Sequence, residues 1–250
     1  MLTNYDKIAQ ECDDARDVIF IKYADDYMHF KLIGDLSDKT ILDIGCGTGS
    51  HTRAFRHLGA KKVVGIDYFK EMITIAEKKE LSNPLNIEYF QQNIFEPFSI
   101  GLFDIVTAFS VISIASSQEE LTVLFKSVYN NLLNGGRFII AGLNPELSPS
   151  AYQKCEKYGF KVTCESPQIE GAIITSTLKI NNNDVKFEDY YFKIDTYFHC
   201  LRNAGFTTIN MHLPEISPEG IDKFGKEFWQ DFITEKMQLY IECKKTSALG

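Results

Sequence analysis

Long apolar runs are missing from this 250-residue chain. The longest weakly polar stretch, Ile105 to Ala115, is interrupted by Thr107, Ser110 and Ser113 and falls short of the ~18 apolar residues a membrane-spanning helix needs. A secretion signal is missing too. The opening run Met1-Leu2-Thr3-Asn4-Tyr5-Asp6-Lys7 soon meets Glu11, Asp13 and Asp14, the reverse of a basic segment followed by an apolar one. Cysteines are not paired: Cys12, Cys46, Cys155, Cys164, Cys200 and Cys243 lie scattered, with no Cys-x-x-Cys and no histidine at finger spacing. A metal site or disulfide framework is therefore not expected, and the thiols read as reduced groups of a cytoplasmic protein. Clustered positive charge is also lacking, because 26 Lys and Arg face 34 Asp and Glu, a net charge of -8. Nucleic-acid binders neutralise phosphates with clustered Lys and Arg. The expected partner is accordingly a small molecule, with neither nucleic acid nor membrane; the oligomeric state stays open.

With 44% hydrophobic and 24% charged residues, the composition is that of an ordinary globular chain with a real core. From Thr40 onward, β-rich runs alternate with helical patterns. Strands are expected at Thr40 to Ile44, Lys62 to Ile66, Ile87 to Phe90, Phe103 to Phe109 and Arg137 to Ala141, the last after an Asn134-Gly135-Gly136 turn. Helices fall between them at about 49–58, 70–81 and 118–133. Such alternation implies an α/β fold with a parallel sheet covered on both faces, since parallel strands need crossovers. Sheets of this kind bind ligands at the carboxyl ends of their strands.

Two segments break the alternation. Residues 1–36 carry Ile8, Val18, Ile19, Ile21, Tyr23, Tyr27, Phe30 and Leu32 at roughly helical spacing, which predicts one or two helices that cap the cleft. Residues 143–193 hold strand-like runs at Phe160 to Cys164 and Ala172 to Ile180, an Asn181-Asn182-Asn183 turn, and Val185 to Phe192. They read as an inserted antiparallel hairpin. A helix from about Ile194 to Asn203, a stop at Gly205, and strands at Phe206 to Leu213 and Gln238 to Lys244 follow. The expected organisation is a cap (1–36), a ligand-binding core (37–142), an inserted lid (143–193) and the remainder of the sheet (194–250).

The strongest chemical signal is Asp43-Ile44-Gly45-Cys46-Gly47-Thr48-Gly49, directly after a predicted strand and opening a helix. Three glycines at alternate positions let the backbone turn sharply and approach a ligand where a Cβ would intrude. The helix behind them offers free N–H groups and a positive dipole end. The next strand ends in Gly65-Ile66-Asp67, and an acid there accepts ribose hydroxyls. Tight strand-to-helix turns need glycine in any case, but the glycines, Asp43 and Asp67 together point to a nucleoside cofactor. The Gly-x-Gly-x-Gly spacing differs from the Gly-x-Gly-x-x-Gly of dinucleotide sites, which disfavours an NAD-dependent oxidoreductase.

These residues resemble the class I S-adenosylmethionine-dependent methyltransferases. Residues 41–49 look like their first motif, Phe103-Asp104-Ile105-Val106 with Phe109-Ser110 like their fourth-strand motif, and Leu132-Leu133-Asn134-Gly135-Gly136-Arg137-Phe138 like the turn into their fifth strand. The resemblance implies a Rossmann-like fold: a mostly parallel seven-stranded sheet with an antiparallel last strand, plus the N-terminal helical cap and inserted β-hairpin. It implies S-adenosyl-L-methionine as cofactor and S-adenosyl-L-homocysteine as product. By the same resemblance Asp43, Gly45, Cys46, Gly47, Gly49, Asp67, Tyr68, Met72, Asn93, Ile94, Phe109 and Ser110 bind the cofactor. Asn93 stands where the family most often has Asp; its amide oxygen still accepts from an adenine amine.

The C-terminal half resembles a narrower group, the toxoflavin synthase-like methyltransferases, through Tyr158-Gly159-Phe160, Glu170-Gly171-Ala172, Ala204-Gly205-Phe206, His212, Pro214, Ser217-Pro218-Glu219-Gly220 and Trp229. At the N-terminus Tyr5-Asp6-Lys7-Ile8-Ala9 fits their pattern, while Cys12 replaces a second Tyr. The fourth-strand Phe109-Ser110-Val111-Ile112 lacks the Asn/Asp-Pro-Pro-aromatic signature of amino-group methylation on bases. Aromatic residues crowd the insertion (Tyr152, Tyr158, Phe160, Phe187, Tyr190, Tyr191), interleaved with acids rather than bases, so a small aromatic or heterocyclic acceptor is expected. Candidate catalytic residues are Tyr5, as a lid over the cofactor, and His212, with His199, for proton transfer. N-, O- and C-methylation are not distinguished. The remaining alternative to an enzyme is a protein that binds S-adenosylmethionine without turning it over.

Overall fold

Alternation of apolar residues decides which face of each strand meets which helices. The computed structural model describes residues 3–181 and 183–246. Strands β1 (Thr40–Ile44), β2 (Lys62–Asp67), β3 (Glu88–Gln91), β4 (Phe103–Phe109) and β5 (Leu132–Leu143) are joined by helices α3 (Ser50–His57), α4 (Lys70–Ser82) and α5 (Gln118–Asn130). With β9 (Thr208–His212) and β10 (Gln238–Lys244) they form a seven-stranded sheet in the order β3, β2, β1, β4, β5, β10, β9. Only β10 runs against its neighbours. On one face Leu42, Val64, Val106 and Phe138 meet Leu121, Phe125 and Val128 of α5 and Leu201 of α7 (Ile194–Ala204). On the other, Ile41, Val63, Ile105 and Ile139 meet Phe55 of α3 and Ile73 and Ala76 of α4. Both faces are buried, as a parallel sheet requires.

Local signals end several elements where the sequence predicts. Ser117 caps α5 by accepting from the Glu120 N–H at 3.2 Å, and Glu120 accepts in return from the Ser116 N–H and hydroxyl. Gly205, at φ 113°, terminates α7 against the Tyr129 ring, a left-handed position that favours glycine.

The segments outside the alternation depart from expectation in three ways. The N-terminal cap is a series of short turns and helices: α1 (Ala9–Asp14), then a continuous helical run over 19–33 whose π-turn Ile21–Asp25 passes into α2 (Asp26–Ile33). The insertion is a three-stranded antiparallel sheet rather than a hairpin, with β6 (Phe160–Cys164), β7 (Ile173–Ile180) and β8 (Asn183–Tyr190) in that order. Phe160 and Val162 alternate inward on β6, so pairing with β7 buries them and covers the hairpin's open edge. Asn182 of the expected turn lies outside the described residues. The Asn134-Gly135-Gly136 turn is absorbed into the start of β5 through a register shift against β4. Helices α6 (Pro149–Tyr152), α8 (Pro218–Phe224) and α9 (Gln230–Thr234) are too short for periodicity to reveal.

These outlying segments share one core. Val18, Phe20 and Tyr23 of the cap, Tyr158, Phe160, Ile174 and Leu178 of the insertion, and Trp229, Phe232 and Met237 near the C-terminus form one buried cluster. Trp229 is fully buried, stacks on Tyr158 with ring centres 5.4 Å apart, and donates from Nε1 to the Gly220 carbonyl at 2.9 Å. The Tyr158 hydroxyl in turn donates to the Phe228 carbonyl and accepts from the Phe232 N–H. We expect Trp229→Ala to lower stability by about 3–5 kcal/mol. Urea denaturation followed by circular dichroism measures this, because the variant loses the chain's single Trp; a loss below 1 kcal/mol would show that the three segments do not depend on this core.

Candidate active site

At the carboxyl ends of β1, β2 and β4 the chain turns back three times over one cleft of about 260 Å3. The glycine turn after β1 builds its floor. The Gly47 N–H donates to Asp67 Oδ2 at 2.8 Å and the Cys46 N–H to the Ile66 carbonyl at 3.0 Å, tying the turn to β2. A Cβ on Gly45 would meet Val111 Cγ2 at 2.6 Å, and one on Gly49 the Tyr89 hydroxyl at 2.5 Å. Gly47, at φ 54°, has only Met72 Sδ within 4 Å of the same position, at 3.9 Å. Gly45 and Gly49 thus serve packing, while Gly47 leaves backbone open for close approach by a ligand.

Asp67 sits at the end of β2 with its second oxygen, Oδ1, accepting from the Phe69 N–H at 2.9 Å. Burial pushes it up to about 6 against those two backbone bonds. Asp43 lies beneath the turn, accepts from the Thr52 hydroxyl at 2.6 Å and is pushed by burial up to about 7. It braces α3 against β1 and does not line the cleft. The thiol of Cys46 is raised well above its ordinary range by burial, and that of Cys12 to about 12.

The N-terminal segment lies across this floor on anchored residues. Asp6 accepts from the Glu71 N–H in the first turn of α4 at 2.8 Å. Asp13 Oδ1 accepts from Thr48 at 2.7 Å, Ser50 at 3.0 Å and Lys79 at 2.6 Å. The Tyr5 ring packs 5.0 Å from Phe69 and 6.0 Å from Phe187 of β8. Burial raises its phenol well above the ordinary range, so at neutral pH it carries a proton and cannot act as a base.

Of the residues singled out from sequence, Tyr5, Gly45, Cys46, Gly47, Asp67, Tyr68, Met72, Ile94, Phe109 and Ser110 line the cleft together. Five do not, Asp43 and Gly49 among them, for the reasons given. Asn93 uses its amide within its own turn, accepting from the Phe95 N–H and donating to Glu96, both at 3.0 Å; it presents Ile94 and Phe95 to the cleft instead. His212 is on the edge strand β9, 3.5 Å from Glu242, beside a different recess. Because β9 lies at the far edge of the sheet, His212 is separated from the cleft by β10. His199 is exposed on α7, bonded to Asn203.

Further groups reach the cleft that sequence reasoning missed. Arg16 donates to Asp26 Oδ2 at 2.8 Å and meets His51 Nε2 at 2.9 Å, and that nitrogen is also 2.9 Å from Asp26 Oδ1. Burial holds the His51 imidazole below its usual range. Asp189 accepts from the Ser113 hydroxyl at 2.9 Å and is pushed by burial up to about 6. Asp25 and Gln238 complete the wall. The one sequence signal was Asp25-Asp26, an acidic pair inside an otherwise apolar helical stretch. Among the described residues no group of His, Cys, Asp and Glu is arranged to hold a metal, and no helix is long and apolar enough to cross a membrane.

A family described as a methyltransferase domain matches residues 35–184, and the chain belongs to that family. It is an S-adenosylmethionine-dependent methyltransferase, which decides against the nicotinamide alternative. The demethylmenaquinone methyltransferase of Lactococcus lactis is 29% identical over 211 residues, 82% of this chain and 81% of the relative. The ribosomal protein L11 methyltransferase of Clostridium botulinum is 32% identical over 143 residues, 57% of this chain but 44% of the relative. A Listeria monocytogenes structure, provisionally named as an S-adenosylmethionine-dependent methyltransferase, superposes with a TM-score of 0.58 at 25% identity, covering 88% of this chain and 97% of that one. The site fits the cofactor by its own geometry: Gly47 leaves the backbone bare toward the cleft, and Asp67 sets a buried acceptor beside it.

Raised carboxyl groups predict a pH effect. Asp43 binds its proton more tightly folded, at about 7, than unfolded, near 3.9, so its protonated form favours the fold and this contribution is lost as pH rises through 7. Asp43→Asn does not titrate. Its stability relative to wild type is expected to improve as the pH goes from 5 to 8, measured by urea midpoints at both values. A difference independent of pH would contradict the raised carboxyl.

Proposed function

We propose that this methyltransferase acts on a small aromatic or heterocyclic metabolite, held between the N-terminal cap and the inserted sheet. The observation that carries the reading is the cleft's roof and outer wall, where Phe20, Phe160, Leu178 and Phe187 from two separate segments converge. Flat apolar walls suit a planar ring, and the net charge of -8 opposes a polyanion. The residues shared with the toxoflavin synthase-like group support a related acceptor, because Tyr158, Phe160 and Trp229 build the core that brings these walls together.

In this reading Asp67 accepts from the ribose hydroxyls. The Gly45–Gly47 turn carries the amino-acid end, Ile94 with Tyr68 and Met72 flanks the adenine, and Phe109 and Ser110 face the reacting centre. Asn93 contributes by shaping its turn. When bound, S-adenosylmethionine supplies a methyl group on a sulfonium. Displacement at that carbon is in-line, so the chain's task is to hold the acceptor about 3–3.5 Å away and keep water out. Tyr5, a neutral phenol wedged between Phe69 and Phe187, closes the lid over both partners.

Labelled methyl transfer tests this, with purines, pteridine-like rings, phenols, ribosomal protein and RNA offered in parallel. Labelling of a small ring is expected; labelling of protein or RNA alone would overturn the acceptor class. Asp67→Ala is expected to weaken S-adenosylhomocysteine binding by about 1.5–3 kcal/mol in calorimetry. Wild-type affinity should also fall as pH drops through about 6, where the carboxylate gains its proton and becomes a poorer acceptor. Tyr5→Ala is expected to lower turnover while changing cofactor affinity less, and full activity in that variant would remove Tyr5 from the site.

A further inference from the structure

We propose that the inner wall of the cleft reads one hydrogen-bonding edge of the acceptor, and that Gln238 and Asp25 select a neutral ring whose edge carries an N–H beside a C=O, as in a lactam. The inference rests on the small-ring reading above and specifies which rings that site takes.

Gln238 opens β10 at the sheet's ligand-binding end, paired with Leu143. It is 4% exposed and lines the cleft, yet its amide oxygen has no hydrogen-bond partner. A buried amide oxygen without a partner is costly unless a ligand satisfies it. Two residues along the same strand, and therefore on the same face, Tyr240 donates its hydroxyl to Asp25 Oδ1 at 2.6 Å. Asp25 is 1% exposed and also lines the cleft. Among the described residues its Oδ2 makes no other hydrogen bond.

Charged groups elsewhere in the cleft are already engaged. Arg16 and His51 are bound to Asp26, and Asp189 holds Ser113. Burial raises the Asp25 carboxyl well above its usual range, against the Tyr240 hydrogen bond, and so favours the neutral acid, which donates a hydrogen bond as well as accepting one. The neutral acid offers a donor to a ring carbonyl, and the Gln238 amide oxygen, lining the same cleft, offers an acceptor to a ring N–H. Both groups are uncharged in this state, so the pair complements a neutral edge rather than an ion. Phe20, Phe160 and Leu178 then cover the ring's apolar surface.

Three probes separate the contributions: quinolin-2-one, its N-methyl derivative, which keeps the ring and the carbonyl but lacks the N–H, and 2-naphthol. Each is titrated by calorimetry into full-length protein saturated with S-adenosylhomocysteine. Quinolin-2-one is expected to bind at least tenfold tighter than its N-methyl derivative. That preference should fall below threefold in Gln238→Leu, which conserves volume, and in Gln238→Met should the first variant fail to fold. Asp25→Ala, which removes the donor, should weaken quinolin-2-one at least threefold, whereas Asp25→Asn, which keeps a neutral donor and the acceptor for Tyr240, should retain its binding. Equal affinity of the two lactams for wild type, or an intact preference in the folded Gln238 variant, would overturn the edge proposal while leaving the small-ring reading in place. Binding of S-adenosylhomocysteine with none of the three rings would overturn both.

Discussion

One buried cluster around Trp229 determines the shape of the substrate side of this enzyme. The cap, the inserted sheet and the short C-terminal helices each contribute apolar side chains to the same core. Covering the sheet's ligand-binding end is therefore a consequence of how these segments bury themselves. Phe20 and Phe160, with ring centres 4.4 Å apart, belong both to that core and to the wall of the cleft. Packing and recognition share the same atoms, and a change in one cannot leave the other untouched.

The second constraint is electrostatic. Asp25, Asp43 and Asp67 are buried near the crevice, Asp189 is half-buried there, and desolvation raises all four. Each has a distinct set of partners. Asp43 serves Thr52 and the start of α3; Asp67 holds the glycine turn with one oxygen and the Phe69 N–H with the other; Asp189 is oriented by Ser113; Asp25 accepts from Tyr240. The same side-chain type thus braces α3 in one place and lines the cleft in the others, set apart by local hydrogen bonding and desolvation.

Much of the cofactor half is legible in the sequence because its determinants are local. The glycine turn, Asp67 at the end of β2 and the Phe109-Ser110 end of β4 each follow a short apolar strand, and a parallel sheet brings strand ends together without further instruction. Even there, local pattern overreached. Asn93 matches a ligand position yet turns its amide onto Phe95 and Glu96, because a side chain's partners depend on its own turn.

The acceptor half was decided by tertiary structure. The hydrogen bond from Tyr240 to Asp25 joins residues 215 positions apart, and no periodicity encodes such a pairing. His212 looked like chemistry until β9 took the edge of the sheet. Gln238 looked like an ordinary strand residue until β10, inserted antiparallel beside β5, carried it to the ligand-binding end. Sequence by itself determined the fold class, the glycine turn and the acid at the end of β2, since these arise from spacing within one or two elements. Which polar groups line the far wall of the cleft followed only from strand order and from the shared core, since both depend on contacts between segments far apart in the chain.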